Sequence, residues 1–466
     1  MSPLHRVARR TFSSLSQRNF RLFLGGQLVS MTGTWMQTVA LGWLVLELTG
    51  SGTAVGVNLG LQFLPMLLFG LWGGVLADRY DKRRLLMLSQ TAMGLVAVAL
   101  WALTASGVIT IEMIYALTFL AGCATALDNP ARQSFVTEMV GANEVANAVS
   151  LNSAVFNASR IIGPAAAGIL IATVGIAPAF LINGISYLAV VTALSLMHVP
   201  SLRRREPAPR AKGQVRDGLR YIWRTPRLRY TILMMGLVST FGINFSVVLP
   251  LMARFVFDRG AETFGLLTSA MALGALAGAL TNAARSKPTR RLLIGSAAAF
   301  GILVLAASMA PSLPILVILL VPIGAATITF IATANTTLQL TSTDAMRGRV
   351  MALHGLVFLG STPVGAPTIG WISETFGARV GMGIGGAISL SVATLAVFVI
   401  KREVIVGRLR DRRWIKPGGL PDGTPEGASM RRDEGELLHA RVAGAETPGG
   451  ARPSTRARPG VDRYSS

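Results

Sequence analysis

The stretch GGVLADRYDKRRLL, residues 73–86, is the part of the sequence that says most about the fold. It places six charged residues between Asp78 and Arg84, directly after the thirty uncharged residues 48–77. A helix needs about 20 apolar residues to cross the hydrocarbon core of a bilayer. The uncharged run exceeds that length, and the charges mark where the chain leaves the apolar phase. The pattern predicts a membrane-spanning helix that ends near Asp78.

The remainder of the chain has the same character. Of its 466 residues, 51% are hydrophobic and 14% are charged, whereas about 25% of residues are charged in a typical soluble domain. The first apolar run is too long for a cleaved signal peptide, so we interpret it as a retained span. The sequence predicts an all-α membrane protein with twelve transmembrane helices, at 20–46, 54–77, 85–105, 109–127, 148–172, 176–198, 230–251, 264–284, 291–310, 313–335, 350–372 and 379–400.

The distribution of positive charge predicts the orientation. The formal net charge is +22, and 40 of the 44 Lys and Arg residues fall in the two tails or in loops on the same side of the predicted spans. Short loops rich in Lys and Arg stay in the cytoplasm. Both termini are therefore expected to be cytoplasmic, with the chain in the cell inner (cytoplasmic) membrane. This location of the charges argues against nucleic-acid binding.

Three short matches indicate an internal duplication. LVSMTG (28–33) returns as LVSTFG (237–242), RRLL (83–86) as RRLL (290–293), and GPAAAG (163–168) as GAPTIG (365–370). We therefore predict two pseudo-symmetric six-helix bundles, 20–198 and 230–400, flanked by a cytoplasmic segment 1–19 and a disordered tail 401–466. The linker 199–229 is expected to form an amphipathic helix that lies on lipid headgroups, with Leu219, Ile222 and Trp223 on its apolar face.

Duplicated bundles are typical of secondary transporters, whose substrate site lies at the midplane between the repeats. Polar side chains within the spans are the candidates for such a site, although each one is also explained by an interhelical hydrogen bond. Trp35, Met36 and Phe63 are candidates for an apolar wall. The polar candidates are Gln27, Gln37, Asn58, Gln62, Asn157, Asn244 and Asn335.

The opening stretch resembles the loop signature of the major facilitator superfamily, with Asp81 in place of a glycine. Residues 18–45, 128–140 and 157–168 extend the resemblance to the branch that contains enterobactin, macrolide and drug exporters. The resemblance implies a cytoplasmic gate in which charges of the two bundles meet. It also implies an antiporter-like motif at Gly163, Pro164 and Gly168. The gate would be formed by Gly74, Asp78, Arg79, Arg83, Asp344 and Arg347.

Further charges lie in or near the spans. A buried arginine at the bilayer centre costs about 2.5–3.5 kcal/mol, so Arg160 is expected to be paired and to serve either substrate binding, gating or structure. Asp128, Arg132 and Glu138 cluster at the end of span four. They are interpreted as a second latch, a proton site or a solvated loop with a cap. The carrier of a proton stays open among Asp78, Asp128, Glu138 and Glu47.

Other classes of function find little support. GMGIGG (381–386) lies in an apolar span with no preceding strand, and the phosphate-binding loop sequence G-x-x-x-x-G-K-S/T is not present. With four His and one Cys, neither an enzyme, a metal site nor a cofactor is expected. We interpret the chain as a secondary transporter, monomeric in the lipid, that exports small amphipathic molecules in exchange for protons. An importer of the same fold, or a membrane receptor, is the alternative.

Overall fold

The computed structural model describes residues 13–141, 144–202, 214–285 and 288–414. Within them the chain is almost entirely helical. Six long helices precede a short helix, α7, in the linker, and six more follow it. The helices are α1 Arg18–Thr49, α2 Gly52–Arg79, α3 Lys82–Ala105, α4 Ile111–Val140, α5 Val145–Val174, α6 Ala177–Ser195, α7 Gln214–Arg224, α8 Pro226–Val256, α9 Ala261–Ala283, α10 Arg290–Ser308, α11 Leu313–Thr341, α12 Asp344–Phe376 and α13 Ala378–Trp414.

Eleven helices in the described part of the chain are long and apolar enough to cross a membrane. The predicted span that is not among these eleven is the first, 20–46, which corresponds to α1; the 32 residues of this helix exceed the length required. Polar side chains such as Gln27 and Thr34 lower its hydropathy. Helix α13 continues to Trp414, beyond the predicted end of the last span at residue 400. The rest of the tail and the segment 1–12 lie outside the described residues.

The helix starts carry the caps that the sequence offers. Asp81 accepts a hydrogen bond from the backbone N–H of Arg84 at 3.0 Å, and Thr289 accepts one from Leu292 at 3.1 Å. Each cap satisfies one of the backbone donors left free at a helix start. The duplicated RRLL sequences thus occupy the first turns of α3 and α10. Asp81 itself, which replaces a glycine of the resembled loop signature, has an extended backbone.

Successive spanning helices run in opposite directions. We call the end of the molecule at which α1 begins the terminal end, and the opposite end the distal end. The two bundles meet along two antiparallel pairs, α2 with α12 and α5 with α9. In the first pair a carbon added at Gly56 would lie 2.3 Å from the carbonyl oxygen of Ala366, and one at Gly370 would lie 2.2 Å from that of Gly52. Backbones this close leave no room for side chains. We call the α2–α12 contact the distal seam.

The cores follow the same division. One large apolar core includes Val45 and Phe180 of the first bundle together with Phe245 and Phe264 of the second. Two smaller cores lie toward the terminal end, and each belongs to one bundle. Phe20, Phe23 and Phe135 are among the residues of the first, while the second contains Ile222, Leu228, Leu338, Val350 and Leu353. The bundles therefore share a core toward the distal end and pack separately toward the terminal end.

Two helices of the second bundle are irregular. Helix α8 contains two π-helical turns, Val238–Gly242 and Met252–Val256, the first of which lies within the repeat LVSTFG. Its counterpart in α1 is regular. Helix α12 is interrupted at Ser361, ahead of Pro363, which lacks the N–H that a continuous helix would use. The duplication is therefore retained in topology but not in local geometry.

The linker helix α7 packs on the second bundle. Ile222 is buried against α12, and Asp217 lies 3.2 Å from the guanidinium of Arg349. Leu219 and Trp223 are 47% and 52% exposed. The predicted apolar face is thus divided, because Ile222 points into protein while Leu219 and Trp223 point away from it.

Candidate functional site

A cavity of about 360 Å³ lies at mid-depth between the bundles. Pockets for small molecules range from about 300 to 1,000 Å³, so its size suits one drug-sized molecule. Two lining residues, Ser246 and Leu359, come from the second bundle and the others from the first. The lining is Gln27, Ser30, Met31, Thr34, Trp35, Thr38, Leu59, Gln62, Phe63, Met66, Gln90, Met93, Thr125, Asn129, Arg132, Phe156, Tyr187, Ser246 and Leu359.

Helix α1 supplies one wall because its polar residues recur at helical spacing. Gln27, Thr34 and Thr38 are separated by seven and four residues, which places them on one face of the helix. Trp35 lies beside this face and also lines the cavity. The low hydropathy of α1 thus has a structural reason: one of its faces is turned toward the cavity rather than toward lipid.

An ion pair lies directly behind the cavity wall. Asp128 is fully buried inside α4, and its Oδ2 is 2.6 Å from a guanidinium nitrogen of Arg132, one helical turn further on. Ser89 and Gln90 of α3 donate hydrogen bonds to Oδ1 at 2.9 and 2.8 Å. Burial of Asp128 within the helix excludes the solvated loop that was open for this position. Arg132 and Gln90 both line the cavity.

The ion pair also fixes the orientation of two amides. Arg132 donates to Oε1 of Gln27 at 3.3 Å, so the Nε2 end of Gln27 points elsewhere and has no partner among the described residues. Gln90 donates through Nε2, which leaves its Oε1 as the end without a partner. Five side chains from α1, α3 and α4 therefore form one connected polar group next to the cavity: Gln27, Ser89, Gln90, Asp128 and Arg132.

Glu138 forms a separate pair near the terminal end. Its Oε1 is 2.6 Å from the ammonium nitrogen of Lys82, the first residue of α3, and both side chains are largely buried. The three charges predicted as one cluster thus divide into two sites. Asp128 and Arg132 adjoin the cavity, whereas Glu138 connects the terminal ends of α3 and α4.

Arg160 reaches the cavity through an aromatic residue. Its guanidinium lies 5.7 Å from the ring centroid of Trp35, and Phe156 meets the same ring edge-on at 5.9 Å. A cation over an indole ring is held by the negative charge on the ring face. Trp35 and Phe156 line the cavity, and Arg160 supports them from behind.

The antiporter-like motif packs α5 against its neighbours. A carbon added at Gly163 would lie 2.6 Å from Cβ of Trp35, and one at Gly168 would lie 3.0 Å from Cα of Glu262 in α9. A carbon added at Gly265 of α9 would lie 2.5 Å from the carbonyl oxygen of Pro164. The motif therefore brings α5 into backbone contact with both α1 and α9.

Three of the predicted gate residues, Arg83, Asp344 and Arg347, contact their own bundles. Arg83 donates to the carbonyl oxygens of Leu194 and Ser195 in the first bundle, at 2.6 and 3.1 Å. Arg347 lies 2.8 Å from Asp344 within the second bundle. Asp78 is half-buried and Arg79 exposed at the end of α2, where Gly74 is also half-buried. Arg83 and Arg347 thus do not bridge the bundles in this conformation.

The remaining polar candidates have varied positions. Gln62 lines the cavity, and Gln37 and Asn58 line a smaller hollow of about 80 Å³ beside it. The other three amides bond within their own helices: Asn157 to Ser153, Asn244 to Thr240, and Asn335 with Gln339. Of the apolar candidates, Trp35 and Phe63 line the cavity, whereas Met36 is buried in the core.

Several residues of the site were not identified from the sequence. Gln90, Asn129, Phe156 and Tyr187 all line the cavity. Gln90 and Asn129 were recognisable as amides next to predicted charges, but nothing in the sequence alone brings Tyr187 of α6 to α1. Its hydroxyl lies 3.3 Å from that of Thr34.

A contact across the distal seam was missed as well. Glu374, near the end of α12, accepts hydrogen bonds from Ser51 Oγ at 2.6 Å and from the backbone N–H of Thr53 at 2.9 Å. A carboxylate of the second bundle thereby caps the start of α2 in the first. No group of three or more potential metal ligands occurs among the residues that the structure describes.

The model for transmembrane secretion effectors matches residues 9–410 of the chain. The chain belongs to this family. It is accordingly a transporter of the major facilitator superfamily, not an enzyme. Solved structures agree on the fold. A POT family transporter in complex with 5-aminolevulinic acid has a TM-score of 0.68 at 10% identity, covering 83% of this chain and 97% of that one. A bacterial homologue of the lysosomal transporter Spinster, inward-facing and occupied, has a TM-score of 0.62 at 16% identity, covering 86% of this chain and 98% of that one.

Similar sequences in this superfamily include drug and siderophore transporters. The multidrug efflux pump Tap of Mycolicibacterium fortuitum is 27% identical over 84% of this chain and 96% of its own length. The enterobactin exporter EntS of Citrobacter koseri is 24% identical over 87% of this chain and 95% of its own length. The staphyloferrin A transporter of Staphylococcus aureus is 28% identical, over 55% of this chain and 64% of its own length. The resemblance noted in the sequence is confirmed.

Proposed function

We propose that this transporter exports small amphipathic molecules from the cytoplasm by alternating access, in exchange for protons. The observation that carries the proposal is the cavity itself. It combines aromatic and thioether side chains with a few amides, the composition expected for a ligand with a large apolar part. A siderophore, a macrolide or another lipophilic drug has this character.

The conformation supports loading from the terminal end. The distal seam brings backbones together at Gly56 and Gly370, whereas the terminal halves of the bundles have separate cores. With both termini in the cytoplasm, this state presents the cavity toward the cytoplasm. Export then requires the distal seam to separate and the terminal halves to meet, at which point Asp78 and Arg347 approach each other.

The names of the relatives support the direction. Tap is described as an efflux pump and EntS as an exporter, and the alignments with both cover most of each chain. We expect a monomer surrounded by lipid, because each bundle exposes apolar side chains such as Leu95 and Leu280 on its outside.

The test is accumulation of labelled siderophores and lipophilic antibiotics in cells with and without the transporter. The proposal expects lower accumulation of at least one compound, and an uncoupler that collapses the proton gradient is expected to abolish the difference. Higher accumulation in cells that carry the transporter would overturn export in favour of import.

A matched pair of variants connects export to the cavity. Trp35→Ala removes an indole that lines the cavity, and Trp371→Ala removes one that is 53% exposed on α12. The first is expected to lower export at least tenfold at normal expression, and the second to leave it within twofold. Equal effects would separate the transport activity from this cavity.

A further inference from the structure

The structure distinguishes the four acids that the sequence leaves open as proton carriers. Glu47 is exposed at the distal end of α1, and Glu138 is paired with Lys82 near the terminal end. Asp78 lies in the last turn of α2, between the cavity and the terminal end. Asp128 is buried at the depth of the cavity and is linked to its lining through Arg132.

The two oxygens of Asp128 differ in their partners. Ser89 and Gln90 donate to Oδ1, while Oδ2 faces Arg132 at 2.6 Å. A proton that binds Oδ2 removes the carboxylate charge and breaks the ion pair. Arg132 keeps its own proton, because a guanidinium is not deprotonated in proteins. Protonation of Asp128 therefore changes the net charge of the pair from zero to +1.

That added charge falls on a side chain that lines the cavity. An unpaired guanidinium requires water or an anion beside it, because burial of an unpaired charge is costly. An apolar or cationic molecule in the cavity removes that water and offers no negative charge in return. When Asp128 is ionised, Arg132 is already paired, and the same molecule meets a neutral wall.

We infer that Asp128 carries the exchanged proton and that Arg132 makes protonation and substrate binding mutually exclusive. The inference rests on the proposed exchange with protons and specifies the substrate as a neutral or cationic amphipath. An anion would bind more tightly after protonation, because Arg132 is then free to pair with it. A site of this kind would carry an anion together with a proton, not against one.

Within the part of the chain that the structure describes, the groups that face Asp128 include no second acid. Helix α3 contributes Ser89 and Gln90, α4 contributes Arg132, and α1 contributes Gln27 behind Arg132. Tyr187 of α6 lines the same cavity. None of these described neighbours carries a carboxyl or an imidazole group.

Two ions of nearly equal shape and opposite charge test the inference. Binding of labelled tetraphenylphosphonium and of tetraphenylborate is measured on the purified full-length transporter in lipid nanodiscs between pH 5 and 8. The cation is expected to bind more weakly as the pH falls, with a dissociation constant that rises toward about tenfold per pH unit for competition with one proton. The anion is expected to show the opposite trend.

Variants separate charge from packing. Asp128→Asn mimics the protonated state and is expected to bind the cation at least tenfold more weakly at pH 8, with no pH dependence. The double variant that combines Asp128→Asn with Arg132→Gln lacks the unpaired guanidinium charge. It is expected to bind the cation again, but still without pH dependence. Glu47→Gln, which changes an exposed acid outside the site, is expected to behave like the unmodified protein.

The outcomes distinguish this inference from the proposed function. The inference is overturned if cation binding keeps its pH dependence in Asp128→Asn, whether or not Asp78→Asn loses it. If those binding results are found and gradient-driven export is still measured in cells, the proposed function stands although the inference about Asp128 fails. Normal pH-dependent binding without any gradient-driven export would instead contradict the proposed function and leave the linkage at Asp128 intact.

Discussion

The distal and terminal halves of this transporter are held together in different ways. In the distal half the two bundles share one apolar core and touch through backbone atoms at Gly52, Gly56 and Gly370. In the terminal half each bundle has its own core and its own ion pairs, Lys82 with Glu138 in one and Arg347 with Asp344 in the other.

This difference indicates what has to change during transport. Contacts that do not cross between bundles persist through a rigid-body rocking motion, whereas contacts across the distal seam have to break. Interactions in the terminal half are therefore expected to determine the stability of the bundles. Interactions at the distal seam are expected to determine the balance between the two conformations.

The largest effect is expected at the buried pair of the first bundle. Glu138→Ala leaves the ammonium of Lys82 without a partner in a largely buried position, and loss of one partner of a buried pair costs about 3–5 kcal/mol. The free energy of unfolding, measured by thermal denaturation of the purified transporter, is expected to fall accordingly. Lys82→Met combined with Glu138→Leu is the control, and it is expected to recover part of the loss. Equal destabilisation of both would contradict an effect of unpaired charge.

The next effect concerns the distal seam. In Gly56→Ala the added carbon meets the carbonyl oxygen of Ala366 at 2.3 Å, and overpacking of this kind costs about 1–3 kcal/mol. The matched control is Gly25→Ala, because a carbon added there has no atom within 4 Å. We expect Gly56→Ala to favour the distally open state, measured as faster alkylation of Ser246→Cys from outside. Both variants are made in Cys123→Ser, which removes the native cysteine. Equal alkylation rates in the two would contradict the role of the seam.

The helices, the two bundles and part of the candidate site could be predicted from the sequence. Runs of uncharged residues and the distribution of Lys and Arg predict twelve helical segments, and the repeats RRLL and GPAAAG predict two bundles, since both patterns depend on local composition. The polar face of α1 was recognisable by the spacing of Gln27, Thr34 and Thr38. Neighbouring residues on one helix, such as Asp128 and Arg132, were also recognisable as a group.

What the sequence did not provide are contacts between distant helices. Tyr187 and Gln90 join the site because α6 and α3 pack beside α1 and α4, and no local pattern encodes that packing. Glu374 is an ordinary acid near a helix end until α12 places it on the start of α2. The gate charges were expected to meet across the bundles, but such contacts depend on the conformation, and a sequence pattern does not specify which conformation is adopted.

A smaller effect is expected where Glu374 caps α2. Glu374→Gln weakens the hydrogen bonds to Ser51 and Thr53, and a helix cap contributes about 0.5–2 kcal/mol. The distally open state is expected to become a few-fold more populated, measured by the same alkylation of Ser246→Cys. Glu262→Gln is the control, because Glu262 accepts its hydrogen bond from Gly260 within its own bundle. An equal shift in the control would assign the effect to surface charge and not to a contact across the seam.

The smallest effect is expected at the linker helix. Asp217 and Arg349 form a partly exposed pair between α7 and α12, with side chains that are 54% and 27% exposed. Such pairs contribute about 0–1 kcal/mol, because water and salt screen the charges. Asp217→Asn is expected to leave the thermal midpoint within about 2 °C and to leave transport unchanged. Ile222→Ala on the same helix removes a buried side chain of the terminal core and is expected to lower the midpoint more. A larger effect of Asp217→Asn than of Ile222→Ala would mean that charge rather than packing holds α7 on the second bundle.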